Sequence, residues 1–376
     1  MRYVVLYPQT KNVHLIKDVG MIAYKLHQLF GYAASVACYD NDTYSYLADE
    51  VPGLQLEFIT PKYHNDLLDG IRYLKQNAPG IDALQLFHIT LRSVVYAFAY
   101  KFYHRDGKLF LKLDCTDRLI AVIRKLEGWQ KWLLNAFLNK VEVIGVEQSR
   151  LLHELQGVLP RQSQKLRFIP NGVDFARFAT IKHKLRPDFH CRQNVVLNVA
   201  RLGSPEKGTD VLLQAFARIK GIEHAGWQLW LVGEIEPGFQ AYLARFLADN
   251  PQLKGVVQVL GPVYDRDKLF SLYQTAKIFC LSSRFESFGL ALLEAAALGD
   301  VIVSTDVGIA RELTAAGNGI VVGVEQPSAL ATALEQLIKS PRLPEYSERT
   351  VQICRERYDW DKIVSNLDSL LRGEQR

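Results

Sequence analysis

Glu286 and Glu294 stand eight positions apart, with Gly289 between them. The segment Lys277-Ile-Phe-Cys-Leu281 ahead of them reads as a buried parallel strand, and 290–298 is dense in helix formers. The turn Ser287-Phe288-Gly289 should therefore present the unpaired N–H groups of a helix N-terminus, a ready seat for an anion. Glu286 falls just before that helix and Glu294 about two turns further on. Both carboxylates can then accept hydrogen bonds from hydroxyls of a ligand whose phosphates rest on the turn. A ligand with phosphates in its middle and hydroxyls at both ends is a nucleotide sugar. Glutamates in general are solvated, but Glu294 lies in a run of Leu, Ala and Gly where a charge needs partners.

A second pair of groups fits the same ligand. Arg201 and Lys207 flank a Gly/Pro loop after the apolar strand 195–199, and the carboxyl end of a strand is where open α/β sheets bind ligands. Two positive charges there would neutralise the charge that develops on a departing diphosphate.

These residues stand where spaced motifs of the family 4 (group 1) retaining glycosyltransferases stand, and the chain resembles that family through most of its second half. Glu286 and Glu294 match its glutamate-x7-glutamate signature. Arg201, Gly203 and the Lys207-Gly208 pair resemble a strand-end arginine and lysine-glycine motif, Leu231-Val-Gly233 the next strand end, and Ser304-Thr-Asp-Val-Gly308 a later glycine loop. The resemblance implies the two-domain GT-B fold and a metal-independent transfer from a nucleotide sugar. It assigns Glu286 to the transferred sugar, Glu294 to the ribose, the amides of Phe288, Gly289 and Leu290 to phosphate, and the neighbourhood of Gly261-Pro-Val263 to the base. In the first half it implies a phosphate contact at Gly20, in the loop after the first strand. It also sets Asp114 where many relatives carry a catalytic histidine. Pro170-Asn171-Gly172-Val173-Asp174 resembles a recurrent motif, read here as a structural turn.

The elements needed to carry these residues can be traced. Short apolar segments alternate with helical ones at 3–7, 35–39, 56–59, 84–89, 109–113, 141–146 and 166–169. They do so again at 195–199, 228–232, 256–260, 278–281, 301–304 and 319–322. The expected class is α/β: two Rossmann-like, doubly wound parallel-sheet domains facing a central cleft. The domains are expected at 1–180 and 190–350, the polar stretch 179–193 linking them and the terminal segment 358–376 returning to the first. A length of 376 residues with 48% hydrophobic and 23% charged content suits two globular domains.

His88 ends the fourth apolar run, either facing a ligand or sitting as a satisfied core residue. The five cysteines show no metal-ligand spacing and read as free thiols. The 317–323 and 203–209 glycine segments fail the dinucleotide and phosphate-loop spacings, and Asp40-Asn41-Asp42 reads as a turn, so no cofactor or metal is expected. No apolar run reaches the ~18 residues of a membrane span, and the start reads as a strand, so a cytoplasmic location is expected.

Charge is uneven. Residues 91–140 carry ten Lys/Arg and four Asp/Glu, whereas 1–90 carry seven and nine. Helical spacing from Leu119 to Phe137, with Lys125, Trp129, Lys131 and Trp132, reads as a membrane-surface helix or as a core helix with a solvated basic face. An anionic inner leaflet bearing a lipid-linked saccharide acceptor accounts for it better than nucleic acid, for which no recognition motif is present. The expected function is hexosyl transfer from a UDP- or GDP-sugar to a saccharide. A nucleotide-sugar epimerase and a non-catalytic partner subunit are the alternatives.

Overall fold

The computed structural model describes residues 1–181 and 188–374. They divide into two compact units, Met1–Asp174 with Tyr358–Arg376, and Phe175–Arg357.

The first unit is built on β1 (Arg2–Leu6), β2 (Ala33–Cys38), β3 (Gln55–Phe58), β4 (Ala83–Phe87), β5 (Lys108–Leu113), β6 (Val143–Val146) and β7 (Leu166–Phe168). All are parallel, in the order β3-β2-β1-β4-β5-β6-β7. Helices cover both faces, so the central strands are mostly apolar, Gln85 and Lys112 being the buried polar exceptions in β4 and β5, and they feed two cores. Val4, Leu84 and Leu111 point to one core, and Tyr3, Val5, Ala83 and Phe110 to the other, as the two-residue period of a strand requires. The second unit carries β8 (Val195–Val199), β9 (Gln228–Val232), β10 (Val257–Gly261), β11 (Ile278–Leu281), β12 (Val301–Thr305) and β13 (Gly319–Val322). They form a parallel sheet ordered β10-β9-β8-β11-β12-β13. In each sheet the order reverses once, between β1 and β4 and between β8 and β11, and those switch points are where such sheets open to ligands.

The chain returns to the first unit at its end. Val173 pairs with Asp359, with Val173 N–H donating to Tyr358 O at 2.8 Å and Trp360 N–H to Val173 O at 3.1 Å. The helix Trp360–Arg372 then buries Trp360, Ile363, Val364, Leu367 and Leu371 in the core that holds Ile22 and Leu26 of the helix Asp18–Phe30.

Four expectations need correction. The fourth strand stops at Phe87 because His88 adopts a left-handed backbone, φ 57°. The basic stretch 118–140 is two helices, Asp117–Lys125 and Gly128–Asn139, broken at Leu126, whose extended backbone ends the first helix, and at Glu127, which caps the second. Lys112, counted in the basic surface, is wholly buried. The supposed linker 179–193 lies partly outside the described residues, Pro187 included. Its end belongs to the core of the second unit, where Arg192 reaches Asp300 at 3.0 Å and the carbonyls of Leu298 and Ala276.

Trp360 is 1% exposed, so Trp360→Ala should cost about 3–5 kcal/mol of stability. Chemical denaturation followed by circular dichroism would measure it.

Candidate functional site

In the second unit, β11 runs into the turn 282–289 and then the helix Leu290–Leu298, whose N-cap is Gly289 at φ 96°. A second turn, Pro205–Lys207 followed by Gly208, lies directly on it. Gly208 has φ 59°, and a Cβ there would sit 2.1 Å from the Ser282 carbonyl oxygen. That approach brings Lys207 Nζ to 2.8 Å from Glu286 Oε1, to which Ser283 Oγ also donates at 2.8 Å. Arg284 clamps the two turns together, its backbone N–H on Glu206 O at 2.8 Å and its guanidinium on both oxygens of Asp210 at 2.9 and 2.8 Å. On the other side, Ile309 N–H donates to Phe288 O at 3.0 Å and packs the Gly308 loop against the same turn.

Glu294 acquires the partners its apolar setting demands. Arg266 Nη2 donates to Oε1 at 3.0 Å, and Tyr273 OH lies 3.5 Å from Oε2. Arg266 in turn stacks over the Phe270 ring at 4.7 Å. Glu294 stays 17% exposed at its side chain and Glu286 14%, so both are held in place yet open to a ligand. Neither Arg266 nor Tyr273 was visible from the sequence, because both come from another helix, Arg266–Thr275.

Other expected residues divide by location. Arg201 is half exposed and turned to Glu206 and to Glu236, 3.6 Å away, with Ser204 Oγ at 3.3 Å. Gly203 packs on Phe239 and Gly233 on the Ala200 carbonyl, where a Cβ would come within 2.6 and 1.8 Å. Val263 follows β10 and is half-buried in an otherwise exposed loop, and Phe288 is buried beside exposed Phe285. Gly20 departs from expectation. It lies inside the helix Asp18–Phe30, not in a loop, and is buried with a Cβ position 2.1 Å from Leu15 O. Close packing of the helix on the preceding turn accounts for the glycine.

In the first unit, His88 and Asp114 follow the paired strands β4 and β5 and so lie at neighbouring strand ends. His88 is half-buried and Asp114 exposed. The left-handed backbone of His88 is held by its N–H on Lys112 O at 2.9 Å and by Ser93 Oγ donating to its carbonyl at 2.7 Å. Such strain gathers at working sites, and His88 lines a 160 Å³ cavity with Tyr7, Phe87, Thr90 and Arg92 at the β1/β4 switch point.

Beneath these ends lies a buried polar cluster that the sequence reading missed. Lys112 Nζ sits 2.6 Å from Glu147 Oε1 and 3.3 Å from Asp18 Oδ2. Asn171 donates to Glu147 Oε1 at 2.5 Å and accepts from the Asp18 N–H at 3.2 Å. Glu147 Oε2 has no partner among the described residues. Burial, with Asp114 and Asp18 nearby, pushes the Glu147 carboxyl up to about 8 against the pull of Lys112. Lys112 is raised as well, by Glu147 and Asp18, against its own burial. The two rises differ in cause: burial drives that of Glu147, whereas the surrounding carboxylates drive that of Lys112. A lysine inside an apolar strand was the available signal, since it must find a carboxylate.

Residues 182–357 match the family described as glycosyl transferases group 1. The second unit is a group 1 glycosyl transferase domain. Over 213 residues the chain is 31% identical to the phosphatidyl-myo-inositol mannosyltransferase of Mycobacterium tuberculosis, covering 53% of this chain and 52% of that protein. The chain thus spans about half the length of that curated relative. It is 27% identical over 278 residues to the N-acetyl-alpha-D-glucosaminyl L-malate synthase of Bacillus anthracis, covering 69% of this chain and 70% of that one. Among solved structures, Anabaena HepE in complex with UDP superposes with a TM-score of 0.74 over 99% of this chain and all of that one, at 19% identity. A Rickettsia africae glycosyltransferase gives 0.75 over 99% and 98%, at 14% identity. The glycosyltransferase domain and the first unit together have the GT-B fold.

Because native Glu147 holds a proton that the unfolded chain has released, stability should fall as pH rises from 4.5 to about 8. In Glu147→Gln that slope should flatten. Thermal melts across this range would show it, and an unchanged slope would count against the raised carboxyl.

Proposed function

We propose that this glycosyltransferase is a retaining hexosyltransferase. It would move a hexosyl group from a UDP- or GDP-sugar to a saccharide acceptor, lipid-linked, in polysaccharide or glycoconjugate biosynthesis. It would act without a metal ion, as a peripheral protein on the cytoplasmic face of a membrane. The observation that carries the reading is the Lys207–Glu286 pair at 2.8 Å, set beside the start of the helix Leu290–Leu298 that also carries Glu294.

In this reading the diphosphate settles at the helix N-terminus, and Lys207 exchanges Glu286 for a phosphate oxygen. The freed Glu286 carboxylate accepts from hydroxyls of the sugar, and Glu294 from those of the ribose. Arg201 leaves Glu206 and Glu236 to join the diphosphate. The bond from the sugar's anomeric carbon to the phosphate oxygen breaks, and the acceptor oxygen bonds to that carbon on the same face. The acceptor proton passes to the departing phosphate, and attack on the face that the phosphate leaves retains the configuration. Lys207, Arg201 and the helix end stabilise the charge left on the diphosphate. His88 and Asp114 are the groups proposed to orient the acceptor.

The relatives support the choice of partners. HepE was solved with UDP and with UDP-glucose, which favours uridine donors. The mycobacterial relative's name, phosphatidyl-myo-inositol mannosyltransferase, favours a lipid-linked acceptor.

Lys207→Ala and Glu286→Ala should each lower nucleoside diphosphate release at least about 100-fold while leaving the melting transition in place. The assay offers UDP- and GDP-hexoses with a lipid-linked saccharide fraction in chelator-treated buffer. Full activity in both variants would remove the site, and donor consumption without acceptor would favour an epimerase.

A further inference from the structure

The first unit turns an unusual set of side chains to solvent. Phe102 is 81% exposed, Trp129 72%, Leu91 70% and Trp132 69%, with Val122 at 49% and Phe98 at 36%. They come from three helices, Leu91–Tyr103, Asp117–Lys125 and Gly128–Asn139. These helices already bury their inward faces: Tyr96, Ala97 and Tyr100 from the first, Ile120 and Ile123 from the second, Leu134, Phe137 and Leu138 from the third. The exposed aromatics are therefore surplus to the core. Trp129 and Trp132, three positions apart, share one side of their helix, and Phe98 and Phe102, four apart, share one side of theirs. Lys140, at the end of the tryptophan helix, places its Nζ 4.9 Å over the Phe98 ring, which joins the two helices into one surface.

Cations are interleaved with these rings. Arg118, Arg124, Lys125 and Lys131 are exposed, and among the described residues none of them meets a carboxylate. Between 117 and 140 the carboxylates are Asp117, which Arg150 holds at 2.6 Å, and Glu127. A protein-binding surface draws on aromatics but excludes lysine from its centre. A phospholipid surface rewards both: indole rings settle at the headgroup level, and Lys and Arg meet anionic phosphate while their stems lie along the acyl boundary. No helix among the described residues is long and apolar enough to cross a membrane, so the contact is with the surface alone.

We propose that the face formed by these three helices docks the protein on an anionic phospholipid bilayer, with Trp129, Trp132 and Phe102 inserted and Arg118, Arg124, Lys125 and Lys131 on the headgroups. This rests on the function proposed above only for what the bilayer delivers, the lipid-linked acceptor. The attachment itself uses no residue of the donor site.

The test is co-sedimentation of the full chain with vesicles of phosphatidylglycerol and phosphatidylcholine, against vesicles of phosphatidylcholine alone, with no sugar nucleotide present. Binding to the anionic vesicles is expected, with little to the neutral ones. The double variant Trp129→Ser/Trp132→Ser should weaken it at least about tenfold. Lys125→Gln and Lys131→Gln should each weaken it about fivefold, with the remaining binding less sensitive to salt. These residues are exposed, so the melting temperature should hold, and donor binding, measured in parallel, should not change. Failure to bind anionic vesicles, or binding unaltered in every variant, overturns the proposal and leaves the donor reading intact. A concentration-dependent dimer lost in the tryptophan variant, without vesicle binding, would overturn it in favour of a second copy of the chain.

Discussion

Everything in the second unit's candidate site depends on how closely backbones meet at the end of β11. The carbonyl of Ser282 leaves no space for a side-chain carbon at position 208, where a Cβ would stand 2.1 Å away, and the carbonyl of Phe288 leaves none at Gly308, at 2.2 Å. Because both neighbouring loops lie flat on the turn 282–289, Lys207 arrives on Glu286 and the start of the helix Leu290–Leu298 is held against them. A bulkier residue at either glycine would lift a loop away, and the ion pair would go with it. Arg284, tied to Asp210 and to two backbone carbonyls beside the Lys207 turn, fastens the arrangement from the outer side.

The first unit solves a different problem at its strand ends. Lys112 is taken wholly out of water, which is affordable only with carboxylates and an amide around it. Glu147, Asp18 and Asn171 supply these from β6's end, a helix start and the segment after β7. The cluster ties the first turn of the helix Asp18–Phe30 to three strands, directly under the surface where His88 and Asp114 emerge. Its surplus of negative charge also makes this floor sensitive to protons.

What could be read from the chain follows from distance along it. Glu286, Gly289 and Glu294 lie within one strand-turn-helix unit, so their spacing fixes their geometry and the structure keeps them together. The central strands likewise announce themselves as short apolar runs, because burial on both faces leaves little room for polar residues, whereas the edge strands β3 and β10 are more exposed and carry polar residues. Arg266 and Tyr273 were illegible, reaching Glu294 from 28 and 21 residues away. The left-handed turn at His88 was hidden too, since histidine has no strong preference for it and only the contacts of Ser93 and Lys112 enforce it. Gly20 misled for the opposite reason: a glycine after a first strand suggests a ligand loop, whereas here it lets a helix pack on Leu15. The basic stretch 118–140 hid its break because Glu127, the N-cap of the second helix, makes no side-chain capping bond and is not a residue type that announces a cap, and its count of charge included a lysine that never reaches solvent.

On the function proposed above, the second unit seats a nucleotide sugar between Lys207, Glu286 and Glu294. Isothermal titration of UDP- and GDP-hexoses into the metal-free protein, and into Glu294→Ala, tests it most directly. One donor should bind, and its binding should weaken at least about tenfold in the variant, as loss of hydrogen bonds to a charged group would cause. No binding of any donor, or equal binding by the variant, would contradict it.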